Sequence, residues 1–256
     1  MTPVEDLEII ELSAADRDLI PSIAKTVCRA FNNDPLIRWL RPHGDDWAQL
    51  GESTMKFQCR RIQRSLLRGR VFVTRPKRGV KPASPPRSSP QTADRAAAGQ
   101  APIAAVGIMY PGHKGDAPKA LAQLRFFLVE FFDPAPDTGG DMERVGIMIK
   151  NHDRIEATAK KLAGGRPTRY IEVVAVDPTY QGKKLGGRML QYMLEADGAA
   201  EGGNPVYLEC TQSSNVGFYE RYGFEVVEES ELSGGPSQGA KTGEDSVKLW
   251  VMMKRR

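Results

Sequence analysis

The sequence is poor in the residues that cross-link chains or hold metals. Its 256 residues include three cysteines (Cys28, Cys59 and Cys210) and three histidines (His43, His113 and His152). The cysteine number is odd, no two cysteines are close, and neither residue type recurs at a metal-ligand spacing. A disulfide scaffold and a zinc site are therefore not expected, and a reduced, cytoplasmic chain is the default. A chain of this length needs no cross-links to build a core. No segment approaches the roughly 18 apolar residues of a membrane span. The opening "MTPVEDLEIIELS" has neither the basic start nor the apolar run of a signal peptide. Charge of one sign is also scarce. The formal net charge is +4, too small and scattered to argue for nucleic acid, yet compatible with an anionic small ligand. The terminal "KRR" reads as a solvated tail, with a nuclear address as its alternative.

What is present is a regular alternation of strand and helix patterns. The stretch 7–12 reads as a strand, and Ser13 as the N-cap of a helix over 14–31 that Pro21 perturbs. "NNDP" stops that helix, and a second one, rich in arginine (Arg60, Arg61, Arg64, Arg68), runs over 47–67. Strands at 70–74 and 103–110 form a hairpin whose tip, 75–102, is dense in Pro, Ser, Ala and basic residues and reads as a disordered insertion. Closure entropy grows only slowly with such lengthening. Helices are expected at 117–132 and 142–163. The β-branched run 169–176 reads as a central strand buried on both faces. A turn and a helix to about residue 196, a strand at 205–210 and a short helix at 213–224 with Gly223 as its stop come next. Two antiparallel strands around a flexible loop, 233–245, complete the chain. The expectation is one α/β domain over 1–256 with a mixed, mostly antiparallel sheet of about seven strands flanked by helices.

The turn in "VDPTYQGKKLGGRML", 176–190, is where chemistry enters. A strand, a glycine-rich turn and a helix N-terminus present converging N–H groups and a dipole that favour an anion. Gly182, Gly186 and Gly187 fit neither the dinucleotide fingerprint nor a Walker loop. Alone, the turn reads equally well as a plain connection.

Its surroundings narrow the reading. "VDPTYQGKKLGGRML", followed about 30 residues later by "LECTQSSNVGFYERYGFEVVEE", resembles the GNAT superfamily of acetyl-CoA-dependent N-acetyltransferases. That family has a strand, V-x-P, then Q/R-x-x-G-x-G/A. Here Val176-Asp177-Pro178 ends the strand, Gln181 takes the Q/R place and Gly186 the final place. A second signature, Asn, then Tyr, then Gly-Phe, appears as Asn215, Tyr219 and Gly223-Phe224. The resemblance covers 103–254, and "AFNNDP" at 30–35 is similar to the puromycin-acetyltransferase-like branch. The sequence departs from the pattern at Lys184, where the family has its central glycine; a helical φ, open to lysine, is expected there.

The resemblance implies acetyl-CoA as co-substrate and a primary amine, of a small molecule, as acceptor. It implies direct attack in a ternary complex, without a covalent enzyme intermediate; no membrane partner is expected from the residues, and nucleic acid is the less favoured partner. Strand residues Val174, Ala175 and Val176 would hold the pantetheine arm where two strands splay apart. The turn residues Gln181, Gly182, Lys183, Lys184, Leu185, Gly186 and Gly187 would hold the pyrophosphate. Asn215 and Phe218 would touch the cofactor arm. Tyr219 would protonate the leaving thiolate, since thiol and phenol pKa values lie close. Phe31, Asp34 and Tyr170 would line the acceptor site. Strand alternation puts 170, 172, 174 and 176 on one face, and Glu172, an acid in an apolar run, is the candidate base or substrate anchor.

Each residue also has a structural alternative. Glu172 could pair with Arg169 or another arginine, Tyr219 could be a core aromatic, and Asn215 a helix cap. Cys210 reads as inert core, and the three histidines as isolated and loop-like. The arginines at 60–68 read as a solvated helix face, with an acidic partner surface as the alternative. Glu228, Glu229 and Glu231 read as a solvated strand end. Three other functions stay open at this point: acetylation of a protein N-terminus or lysine, a degenerate CoA-binding or interaction module without catalysis, and nucleic-acid binding through the basic loop 75–88.

Overall fold

The computed structural model describes residues 2–42, 51–77, 103–111, 139–196, 203–234 and 245–255. Seven strands form one sheet: β1 Leu7–Glu11, β2 Arg70–Pro76, β3 Ala105–Tyr110, β4 Arg169–Val176, β5 Val206–Cys210, β6 Glu225–Ser233 and β7 Ser246–Lys254. Their spatial order is β1-β2-β3-β4-β5-β7-β6. Every neighbouring pair is antiparallel except β4–β5, which is parallel. The helices are α1 Ile20–Phe31, α2 Pro35–Leu40, α3 Glu52–Arg68, α4 Met142–Leu162, α5 Leu185–Glu195 and α6 Ser213–Glu220.

The start of the first helix differs from the sequence expectation. Ser13 does cap, in a reciprocal box with Asp16, but residues Ala14–Leu19 form a 3-10 helix with a kink at Asp16. Pro21 lacks an N–H and its ring clashes with the carbonyl four residues back. The α-helix therefore begins at Ile20, with the proline in its first turn. The expected start of α3 at 47, the insertion from 78 to 102, the helix at 117–132, most of the loop 233–245, His43 and His113 lie outside the described residues.

Helices cover both faces of the sheet. On one face Ile23 and Val27 of α1 and Ile62 of α3 bury against Val71, Val73, Val106, Ile108, Val173 and Ala175. On the other, Leu185, Met189 and Met193 of α5 bury against Ala105, Met109, Ile171 and Leu208. Each such side chain contributes roughly 1.5–3 kcal/mol when fully removed from water. Further along, α4 covers Tyr207, Val251 and Met253 through Ile155 and Ala159. Helix α6 ends before Gly223, whose φ of 82° supplies the left-handed turn expected of a stop.

The strand β4 corrects two expectations at once. Its residues alternate between buried and half-buried, so it is not sealed on both faces. Nor do 170, 172, 174 and 176 share a face. Ile108 pairs with Val173 and Met109 with Ile171, which leaves Glu172 as the extra residue of a β-bulge. A bulge shifts the side-chain phase by one. Tyr170 and Glu172 consequently face the α3–α4 side, whereas Val174 and Val176 pack with the α5 side.

Candidate active site

The backbone opens between β4 and β5. The two strands pair at Arg169–Val206, Tyr170–Tyr207 and Ile171–Leu208, and no further. Beyond Ile171 the edge of β4 that faces β5 has no strand beside it, so its N–H and C=O groups can receive an extended arm. The open edge runs into the turn, where Asp177 accepts from the Thr179 N–H at 3.0 Å and from its hydroxyl at 2.7 Å. Gln181 donates from Nε2 to the Val176 carbonyl at 3.1 Å, which ties the turn to the strand end.

Helix α5 begins without a side-chain cap, and its N-cap residue, Lys184, has φ 60° and ψ 11°. The helical φ expected for this lysine is therefore wrong. It is the one non-glycine residue with positive φ among the described residues. The position wants glycine for backbone conformation, not for space. Lys184 and Lys183 are both exposed beside the uncapped helix end, and the Lys183 ammonium lies 5.3 Å from the Tyr180 ring centroid. Gly186 looks onto Val176 and Phe218 at ordinary contact distance. Gly187 has a different task. A Cβ there would lie 2.0 Å from the Tyr222 hydroxyl, so its missing side chain admits the ring that locks α5 to the end of α6.

Helix α6 carries the second signature along the opposite wall. Asn215 is exposed and donates from Nδ2 to Gln212 at 3.2 Å. Phe218 meets Tyr219 edge-on at 5.0 Å and Tyr222 at 5.3 Å. Tyr219 is half-buried against the α5-side core, and its hydroxyl has no hydrogen-bond partner among the described residues. Burial, followed by the proximity of Cys210 and Asp34, pushes its pKa well above the ordinary phenol value. The phenol is thus held protonated. Burial likewise pushes the Cys210 thiol up to about 11, which keeps it a neutral core residue.

Asp34 is buried as the N-cap of α2, accepting from the N–H groups of Leu36 and Ile37 and from the Thr211 hydroxyl. Desolvation raises its carboxyl pKa against those hydrogen bonds. Phe31 is half-buried and packs with the α1 core, joined to Asp34 through its backbone carbonyl.

On the other face, a row of tyrosines crosses three strands. Tyr170 stacks on Tyr207 at 4.9 Å and lies parallel to Tyr110 at 6.2 Å. Glu172 accepts at Oε1 from Nη2 of Arg61 at 2.8 Å and from its Nε at 3.1 Å, and at Oε2 from Tyr110 at 3.1 Å. Burial and the adjacent Glu172 push the Tyr110 phenol up to about 12. Arg61 is therefore not part of a solvated face, although Arg64 and Arg68 are exposed. Its partner is 111 residues away, a distance at which residue spacing carries no signal.

Sequence reasoning missed one pair altogether. His152 lies in α4, not in a loop, and its Nδ1 is 2.5 Å from Oε1 of Glu209 on β5. The ring sits 4.9 Å from that of Tyr170. The Glu209 hydrogen bond, against desolvation, raises the imidazole pKa above its ordinary value. Among the described residues no group of three or more His, Cys, Asp or Glu could hold a metal, and no helix is long and apolar enough to cross a membrane.

Comparison with known proteins agrees with this geometry. Residues 143–226, from α4 to the start of β6, match the model described as the acetyltransferase (GNAT) domain. A mosquito arylalkylamine N-acetyltransferase, like 5b, shares the fold at TM-score 0.56 and 17% identity, over 97% of this chain and 99% of that one. Arylalkylamine N-acetyltransferase 2 from Aedes aegypti gives 0.53 and 13%, over 97% and 98%. The polyamine N-acetyltransferase of Drosophila melanogaster gives 0.51 and 12%, over 97% and 99%. The β4–β5 opening, the turn into α5 and the Asn215–Tyr219 helix all fall within the segment 143–226 that matches the acetyltransferase (GNAT) domain.

Proposed function

We propose that this protein moves the acetyl group of acetyl-CoA to a primary amine of a small molecule, by direct attack in a ternary complex. The observation that carries the reading is the end of β4–β5 pairing at Ile171–Leu208, which leaves the β4 edge open beside an uncapped helix N-terminus. The residues fit the cofactor. Backbone groups of Val174, Ala175 and Val176 run along the opening, with the Val176 carbonyl already engaged by Gln181. A Cβ on Gly182 would meet nothing within 4 Å, so the turn is open on its outer side. The N–H groups from Gly182 to Gly187, with Lys183 and Lys184, suit a pyrophosphate. Phe218 and Asn215 form the facing wall. When bound, acetyl-CoA supplies a thioester as acyl donor.

Tyr219 is the proton donor to the leaving sulfur. Its raised pKa keeps the O–H in place until an anion develops beside it. Glu172, with acceptor positions already taken by Arg61 and Tyr110, suits an orienting anchor for the acceptor beside Tyr170. A small amine is supported by full-length likeness of fold to enzymes named for arylalkylamines and polyamines. Two measurements test the reading. A folded state that binds acetyl-CoA gains about 2.7 kcal/mol at a hundredfold excess over Kd, visible as a raised melting temperature. Thiol release should then appear with one class in a panel of aminoglycosides, polyamines, amino-nucleosides and peptides. No thermal shift at millimolar acetyl-CoA would sink the proposal, and release with peptides alone would move it to protein acetylation.

A further inference from the structure

The acceptor amine arrives as an ammonium and must lose a proton before it can attack, so some group on the acceptor side has to take that proton. Glu172 is committed to Arg61 and Tyr110, and Asp34 to the start of α2 and Thr211. His152 is differently placed. Glu209 is the first β5 residue beyond the last β4–β5 pair, and Glu172 is its counterpart on β4. The Glu209 carboxylate thus stands at the point where the strands part, and it holds His152 Nδ1 at 2.5 Å. With Nδ1–H donated to Glu209, the other ring nitrogen carries a lone pair. No described residue hydrogen-bonds to that nitrogen, and the imidazole side chain keeps 33% of its surface open to solvent. Tyr170 fixes the ring from below.

Resting on the acetyl-transfer reading, we infer that His152 Nε2 is the proton acceptor for the amine, and that Glu209 is its positioning residue. The ammonium N–H bond breaks and its proton moves to Nε2. The freed lone pair forms the C–N bond to the acetyl carbonyl, the C–S bond breaks and the sulfur takes its proton from Tyr219, and the second proton that the nitrogen sheds as the amide forms restores the Tyr219 phenol. The acceptor and donor work from opposite sides of the sheet, because Glu209 faces α4 whereas Cys210 and Tyr219 pack on the α5 side. The charges around the ring have one prevailing sign. Besides Glu209, they are Asp153 and Glu156 on α4, Glu172 with its Arg61 on the β4 side, and the Arg154–Glu228 pair towards β6; the neutral phenols of Tyr170 and Tyr207 lie beneath. This surplus of acid agrees with an imidazole that binds its proton more tightly than usual, as a base for an ammonium should.

The test measures kcat against pH for the full-length wild type, His152→Gln and Glu209→Gln, with the best amine of the panel, and acetyl-CoA thermal shifts for all three. Wild-type kcat should rise with pH through an inflection above the ordinary imidazole value. His152→Gln should lose that inflection and about a hundredfold or more of kcat, with its acetyl-CoA shift intact. Glu209→Gln should keep an inflection displaced to lower pH. An unchanged pH profile in His152→Gln overturns the assignment even if the rate falls, since a purely structural tie between α4 and β5 would not move it. If His152→Gln does not fold, an NMR titration of the wild-type imidazole decides: a kinetic inflection that fails to coincide with it overturns the inference. A wild type that neither binds acetyl-CoA nor releases thiol with any amine overturns the acetyl-transfer reading itself.

Discussion

Lys184→Gly should make the protein more stable while removing a charge from its proposed cofactor site. Lys184 sits at φ 60° and ψ 11° directly before α5. A side chain in that region costs roughly 1–2 kcal/mol, because Cβ crowds the following carbonyl. Glycine escapes this cost but loses about 0.4–1 kcal/mol through its larger freedom in the unfolded chain. The difference is a net gain of about 0.5–1 kcal/mol, or on the order of 1–4 °C in Tm for a domain of this size. Lys184 is exposed, so little packing is lost with its side chain. Lys184→Ala is the informative control: it deletes the ammonium but keeps the Cβ and the strain. Urea unfolding of the three proteins, compared at equal m values, measures the gap. If the glycine and alanine variants have the same stability, the backbone strain is not there. Acetyl-CoA affinity then separates the two contributions of this position. An ammonium that meets a phosphate predicts weaker binding for both variants, whereas a purely conformational role predicts a loss in neither.

Other perturbations follow from the same geometry. Tyr219→Phe should lower kcat about a hundredfold or more while isothermal titration finds acetyl-CoA binding unchanged; wild-type kcat across pH would remove the donor assignment. Gly187→Ala should destabilise by about 1–3 kcal/mol, because its Cβ would stand 2.0 Å from the Tyr222 hydroxyl. Adding Tyr222→Phe should restore part of that loss, and strictly additive effects in the double-mutant cycle would refute the contact. Asp34→Asn keeps a good N-cap residue for α2 and deletes a carboxylate whose folded pKa is raised by burial. For an acid raised on folding, the native state binds more protons than the unfolded one just above the ordinary carboxyl value of 3.8. Wild-type stability should therefore gain relative to the Asn variant as pH falls through that window, and a parallel pH dependence of the two would contradict the raised value.

How far the fold could be read from the residues depends on where the deciding contacts lie. Strand β4 was legible to the residue because Ile171, Val173, Val174 and Val176 form a β-branched run bounded by turns, and β7 likewise. The hairpin of β2 and β3 was legible because both arms resume the pattern on either side of the insertion. The turn into α5 and the Asn215–Tyr219 helix were legible as motifs. The bulge at Glu172 was not, since it is a property of register between β3 and β4, and one strand's sequence does not state its neighbour's. The same holds for the two ion pairs of the site. Glu209 is 57 residues from His152, and helical periodicity places the imidazole on a face without naming what it meets. Asp34 was a different kind of miss. Asp followed by proline is the start signal of a helix, and Asp34 caps α2, a role that reading "NNDP" as a stop and Asp34 as an acceptor-site residue leaves out.

The bulge in β4 separates side chains that strand alternation would have put on one face. Tyr170 and Glu172 present their side chains to one compartment, and Val174 and Val176, two and four residues on, present theirs to the other. An unbroken strand would turn all four of these side chains to the same face. With the phase reversed at Glu172, substitutions at Tyr170 and Glu172 reshape the first compartment without altering the side chains of Val174 and Val176 in the second. On the proposed reading, acceptor choice can drift in descendants of this chain while the handling of the acyl donor stays constant, and a designer seeking a new amine substrate should confine changes on β4 to Tyr170 and Glu172.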